Sequence, residues 1–380
     1  MNRPVVIDGF AARWEASGLA ALTGHPDEAV LPARDLLARL DELLWRVEDT
    51  AACFGVDLAL DHSVFTGRAA LMGLSRRGQV SCNGTCRLIE AEDGWIAVNL
   101  ARPEDVELVP AWLCRDVDDP WAAIEAAARR EQAGTLVERA GMLGLPATLA
   151  AIDLPRGRAL QWHCSAHLSN SPPMSMPSTP STAGGKTPLV LDLSSLWAGP
   201  LCGQLLTRIG CRVIKVESTS RPDGARFGPP AFFERLHRGQ EFVALDFAAA
   251  DGRAKLRDLI LSADLVIEGS RPRALRQLGI DRDAIMAERP SLIWVGITAH
   301  GRDADRVGFG DDAAAAAGLL AWDRAGRPVF VGDAIADPIA GLTAAVGAMA
   351  AILSGEGGLV DVSLSGAAAW IAAAPEIVPC

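Results

Sequence analysis

What this 380-residue sequence lacks narrows its function before any motif is considered. It has no run of clustered lysine and arginine, and its formal net charge is −11. A phosphate backbone is held by a concentrated basic surface, so no nucleic-acid partner is expected. No basic, apolar leader stands ahead of the eight cysteines, and none of them shows the paired CxxC spacing of a structural zinc site. A reduced, cytoplasmic protein without a metal is therefore expected. Ligating residue types do occur in the CxxxC at Cys82 and Cys86 and in the group His163, Cys164 and His167. The most apolar long stretch, residues 338–353, is shorter than the ~20 residues that cross a bilayer. It reads as a buried helix, and no membrane partner is expected. A GxGxxG is missing as well, which counts against a nicotinamide-dependent dehydrogenase. Glu217 nevertheless ends a predicted strand where a ribose-binding acid would stand.

What is present fits a packed protein: 49% of residues are apolar and 22% charged, and the length accommodates two domains. Residues 168–186 are crowded with serine, proline, threonine and glycine and show no apolar period, the composition of a flexible linker. The expected organisation is a small α+β domain over 1–167, this linker, and an α/β domain over 187–380. In the first part, helical spacing marks residues 36–47 and 121–132. Residues 87–101 read as a hairpin turning at Glu92, Asp93 and Gly94. No catalytic constellation stands out there, so Trp112, Cys114 and His62 read as core or surface residues and the half as structural or substrate-covering. After the linker, short apolar runs at 189–193, 213–216, 242–245, 265–267 and 292–297 alternate with helical segments at 199–209 and 251–262. That alternation predicts an open, mostly parallel, Rossmann-like α/β sheet, which takes ligands at the carboxyl ends of its strands.

Two places carry the chemistry. The first predicted strand runs into Ser194-Ser195-Leu196-Trp197-Ala198-Gly199-Pro200 and then a helix, whose first N–H groups suit an anionic ligand. Further on, Asp337 precedes Pro338 and a long apolar helix. This pattern predicts Asp337 as the helix N-cap with Pro338 at the first helical position. In the bland alternative it merely caps a core helix.

Segments in a fixed order then carry a resemblance. VLDLSSLWAGPLCGQLLTRIGCRVIKVE at 190–217, HRGQEFVALD at 237–246, DLVIEGSRPRALRQLG at 264–279 and LIWVGITAHG at 292–301 resemble the family III CoA-transferases. This is the CaiB/BaiF family, which also holds formyl-CoA transferases and α-methylacyl-CoA racemases. Its nucleophilic aspartate stands four residues before a glycine, and Asp337 stands four before Gly341. The resemblance implies coenzyme A, entering as acyl-CoA, as co-substrate and a carboxylic acid as acceptor, with Asp337 as catalytic nucleophile. It further implies Trp197, Ala198, Arg238, Gly269, Ser270 and Arg271 as CoA-binding residues, oxyanion donors near Ile339 and Ala340, and a homodimer. Several family cations are replaced here, by Ser218, Gln240 and Glu241, and Gly269-Ser270 stand for the family's Asn-Phe. Arg221 and Arg226 remain as further phosphate contacts. The order of parts departs too, because residues 14–24 and the hairpin at Gly94-Trp95 resemble segments the family places later in its chain. Two other readings follow from these departures. One is a CoA-binding partner without catalysis. The other is an acyl-CoA epimerase, which would need a histidine where the chain has Gly310-Asp311-Asp312, while His300 reads as lining the cleft or facing solvent.

Overall fold

The computed structural model describes residues 5–151, 165–166, 187–270 and 272–378. The segment 168–186, the group His163, Cys164 and His167, and Arg271 lie outside the described residues. The first half opens with helices α1 (Ile7–Ala16), α2 (Leu36–Ala52) and α3 (Ser63–Met72). Helix α2 starts where Asp35 accepts the Ala38 N–H at 3.1 Å, and its leucines at 36, 37, 40, 43 and 44 form one buried stripe. Then follow strands β1 (Cys86–Ala91), β2 (Gly94–Asn99) and β3 (Ala147–Leu149), an antiparallel sheet whose first two strands form the expected hairpin. Helices α4 (Pro120–Ala128) and α5 (Ala133–Leu143) share a core with this sheet, and Trp112 lies within it, donating its indole N–H to Leu136 O at 3.0 Å.

The second half builds a seven-stranded sheet. After the short β4 (Ser165–Ala166), its strands are β5 (Leu189–Asp192), β6 (Arg212–Ser218), β7 (Glu241–Leu245), β8 (Leu265–Glu268), β9 (Ile293–Thr298) and β10 (Gly358–Ser363). Their spatial order is β4-β10-β9-β8-β5-β6-β7, parallel throughout except for β4 at one edge. This is the expected open, mostly parallel α/β architecture. Strands β8 and β9 are apolar along almost their whole length because helices cover both faces of a parallel sheet. The chain steps from β5 outward to β6 and β7, then returns to lay β8 on the other side of β5. The carboxyl ends of β5 and β8 therefore flank a crevice at the point where strand order reverses.

Four helices position the site: α6 (Ala198–Arg208), α7 (Pro230–His237), α8 (Gly310–Ala316) and α9 (Ala336–Ser354). Helix α9 is long and apolar enough to cross a membrane by length and composition, yet it is packed as a core helix. Phe10, Trp14, the α2 leucines and Phe65 enter the same core as Val190, Leu205 and Leu342, whereas Ile96, Ile124 and Leu136 belong to another. The first three helices thus pack on the second half, while residues 86–149 have a core of their own and also pack through Cys86, Leu88 and Ala97 on Ala315, Leu320 and Phe330.

Small residues let α9 approach α6. A Cβ on Gly341 would stand 2.6 Å from Ala198 O, a backbone atom that cannot swing aside. Alanine gains up to ~1 kcal/mol over glycine in helix propensity, but overpacking against backbone costs about 1–3 kcal/mol. Gly341→Ala is therefore expected to lower the unfolding free energy in urea by roughly 1–2 kcal/mol. An unchanged or higher value would show that the two helices can slide apart freely.

Candidate active site

The loop after β5 is held rigidly over the crevice. Asp192 Oδ1 accepts the Ser194 N–H at 2.8 Å and its hydroxyl at 2.5 Å, and Asp223 Oδ1 accepts the Leu196 N–H at 2.8 Å. Below the loop, Lys215 is wholly buried. Its ammonium lies 3.4 Å from Asp192 and 3.1 Å from Asp223 and donates to Ser194 O. This ion triad supports Leu196 at φ 71°, a left-handed conformation that a leucine rarely adopts. The loop after β8 comes alongside, since a Cβ on Gly269 would meet Ser194 Cβ at 3.3 Å. Trp197, Gly269 and Ser270 thus stand on the two loops that flank the crevice, Ala198 opens α6 directly after the first, and Ser270 donates to Glu268 at 2.9 Å. Arg226 is engaged elsewhere, forked onto Glu217 at 2.6 and 2.9 Å. Glu217 also accepts the Asp223 N–H at 2.8 Å, so this carboxylate is committed within the protein rather than free for a ribose.

Asp337 stands one turn before Gly341, the glycine that packs on Ala198 at the start of α6. It is the second residue of α9, not its N-cap: Ile335 occupies the cap, and the Asp337 N–H donates to Ala334 O at 2.9 Å. The helix can begin before Pro338 because the first four N–H groups of a helix have no partner within it, so a proline there removes no hydrogen bond. As a result the Asp337 carboxylate is free of capping duty, partly exposed, and without a hydrogen bond among the described residues. It lies against Gly310, where an added Cβ would stand 2.5 Å from Oδ2. The N–H of Ile339, expected as an oxyanion donor, is directed to Ile335 O at 3.4 Å.

Three further carboxylates surround this position. Asp311 is buried and accepts the Ala334 N–H at 2.8 Å. Asp312, also buried, accepts from Asn99 at 3.0 Å and from the Phe309 N–H at 2.9 Å. Asp333 has no exposed side-chain surface and is gripped by Arg68 of α3, at 2.8 Å from Nε to Oδ2 and 2.6 Å from Nη2 to Oδ1. The Arg68 guanidinium also lies over the Trp197 ring, 5.1 Å from its centroid. Desolvation pushes the Asp337 carboxyl up to about 7; Arg68 opposes the rise, and Asp311, Asp312 and Asp333 add to it. Asp311 is likewise pushed up to about 7 by burial, with the neighbouring Asp333 assisting. His300 is neither in an open cleft nor in solvent: it is nearly buried, with Nε2 3.7 Å from Asp312 Oδ2. Cys82 and Cys86 are buried thiols whose pKa values burial drives upward, and Cys82 Sγ points at Gly332 O, 3.3 Å away. Among the described residues no cluster of three or more His, Cys, Asp or Glu side chains could hold a metal.

Arg238 lies away from the loops after β5 and β8 but shares a cavity with Trp197. It follows α7, is mostly exposed, and pairs with Glu234 at 3.6 Å. Together with Trp197, Arg68, Arg208 and Arg235 it lines a cavity of about 890 Å³ between α3 and the pair α6 and α7. Trp197 and Arg68 are where this cavity adjoins the acidic site.

Sequence reading missed Arg68, Asn83 and Asn99, all from the first half; Asn83 reaches Asp311 at 3.4 Å. The one local sign was an arginine set among apolar residues in SVFTGRAALM.

The model of CoA-transferase family III matches residues 188–377. The succinyl-CoA–D-citramalate CoA-transferase of Chloroflexus aurantiacus is 32% identical over 193 residues, 46% of this chain and 48% of that enzyme. The succinate–glutarate CoA-transferase of Agrobacterium fabrum is 30% identical over 197 residues, 46% of this chain and 49% of that enzyme. A solved CaiB/BaiF family protein from Brucella suis is 31% identical, with a TM-score of 0.45, over 49% of this chain and 54% of that one. The chain spans about half the length of the curated relatives it matches.

Proposed function

This chain belongs to CoA-transferase family III, and from that premise we propose that it moves coenzyme A from an acyl-CoA to a carboxylic acid through the carboxylate of Asp337. The observation that carries the reading is one carboxylate, partly exposed and without a hydrogen bond among the described residues, against Gly310 and one turn before the glycine that packs on Ala198 at the start of α6. A carboxylate so placed can attack a thioester carbonyl, whereas one occupied as a helix cap would be a poorer nucleophile.

Attack by Asp337 on the donor carbonyl breaks its C–S bond, giving an acyl-aspartyl anhydride and free CoA thiolate. The thiolate attacks the aspartyl carbonyl, releasing the donor as its carboxylate and leaving CoA on Asp337 as a thioester. The acceptor carboxylate then attacks this thioester, expelling the thiolate again. In the last step the thiolate takes the acceptor's acyl carbon, which restores the Asp337 carboxylate. No water enters and no proton is consumed across the cycle. Trp197, Ala198, Gly269 and Ser270 are the residues proposed to meet CoA, on or directly after the two loops at the crevice.

Succinyl-CoA is named for the Chloroflexus relative, so the first test mixes succinyl-CoA with isotopically labelled succinate and follows label into the thioester. Exchange supports the reading; its absence there and with a panel of other acyl-CoAs and their acids would sink it. Because ionised Asp337 is the nucleophile and its pKa stands at about 7, the ionised fraction grows as pH rises through that value. The exchange rate is expected to increase about tenfold from pH 6 to pH 8. A flat profile across this range would show that Asp337 ionisation does not limit the reaction.

A further inference from the structure

We propose that Arg68, supplied by the first half of the chain, is a positioning residue for this site: it holds Asp333 on both oxygens and leaves Asp337 as the carboxylate open to the substrate. The inference rests on the reading of Asp337 as nucleophile and adds to it a dependence on the other half. Arg68 and Asp333 are 265 residues apart in the chain, yet their fork is closed at 2.8 and 2.6 Å, the two-point geometry that only arginine offers a carboxylate. The Trp197 ring backs the guanidinium at 5.1 Å, so the same side chain touches the CoA-facing loop, the cavity wall and the acidic site.

The charges facing Asp337 explain why the site needs this cation. Asp311 and Asp312 face it from α8 and Asp333 from the turn before α9, with Arg68 opposing them from α3. His300 stands beyond Asp312, and the thiols of Cys82 and Cys86 are held neutral by burial. Without Arg68, the carboxylates of Asp311, Asp312 and Asp333 would face Asp337 with no opposing cation, and like charges so placed favour its protonated form.

The test reads Asp337 directly, without turnover. Aspartate is labelled with ¹³C at its carboxyl carbon, the Asp337 resonance is assigned by its loss in Asp337→Asn, and its titration is followed in Arg68→Gln, Arg68→Lys and Asp333→Asn. Arg68→Gln is expected to raise the midpoint by about one pH unit or more. Asp333→Asn, which leaves the arginine charge in place and removes a negative neighbour, is expected to lower it. Arg68→Lys keeps the charge but not the fork, and its midpoint should fall between wild type and Arg68→Gln. Opposite shifts in the glutamine and asparagine variants support the assignment, because an ion pair that served only the fold would leave the Asp337 midpoint in place. Shifts of the same sign, or none, overturn it. If Arg68→Gln does not fold, Asp333→Asn and Arg68→Lys still decide, since the first must lower the midpoint and the second raise it. A wild type that shows no exchange but these opposite shifts would contradict the transfer reading alone.

Discussion

Asparagine at position 337 is expected to lower CoA transfer by about a thousandfold or more while making the protein more stable above neutral pH. The first part follows because an amide cannot form the anhydride or regenerate after it. The second follows from the sign of the pKa shift. Asp337 is raised to about 7 from an ordinary value of 3.8, so between those values the folded state binds more protons than the unfolded one, and stability falls as pH rises through that window. Above it, the wild type carries the full penalty of an ionised carboxylate among like charges, which asparagine does not. The gain should be on the order of 1–3 kcal/mol at pH 8, discounted for the group's partial exposure, and should shrink toward pH 4. Paired transfer assays and urea unfolding at the two pH values check both parts. Loss of activity with loss of stability would instead mean that Asp337 holds the fold together.

The second large effect belongs to Lys215. Replacing it by methionine keeps much of its volume but leaves Asp192 and Asp223 facing each other without a counter-charge in the interior. Breaking a buried ion network on one side costs about 3–5 kcal/mol. The Ser194–Trp197 loop should suffer most, because Lys215 supports it from below while Leu196 holds a backbone conformation that relaxes once released. Thermal unfolding of Lys215→Met should begin roughly 10 °C lower than wild type, and binding of CoA, measured by calorimetry, should weaken with it. Adding Asp192→Asn and Asp223→Asn to the methionine variant is expected to return much of the stability, since no unpaired charge then remains. If the single variant matches wild type in both measurements, the loop does not depend on this triad.

Much of the second half could be read from the sequence because parallel strands buried on both faces are short apolar runs, and β5, β6, β8 and β9 lie within about two residues of those runs. The hairpin at 86–99 was equally plain from its turn residues. Asp337 stood out by its spacing to Gly341, although proline chemistry alone misplaced it by two positions in the helix. Arg68, Asn83 and Asn99 were not legible. Each meets its partner across more than two hundred residues, and no local period records such a meeting. The lone arginine in an apolar helix looks the same whether it faces solvent or a buried aspartate. Arg238 was named by its place in a motif, and in the structure it is an exposed side chain paired with Glu234.

Covalent attachment at Asp337 is the most direct test of transfer through this carboxylate. Purified protein would be mixed with succinyl-CoA and with a panel of other acyl-CoAs, quenched with hydroxylamine, digested, and its peptides weighed by mass spectrometry. A hydroxamate on the peptide carrying Asp337, absent from Asp337→Asn, is the predicted result, since both the anhydride and the aspartyl thioester yield it. Exchange of label between acid and thioester without any adduct at Asp337, or with the adduct on another carboxylate such as Asp311 or Asp333, would contradict the account.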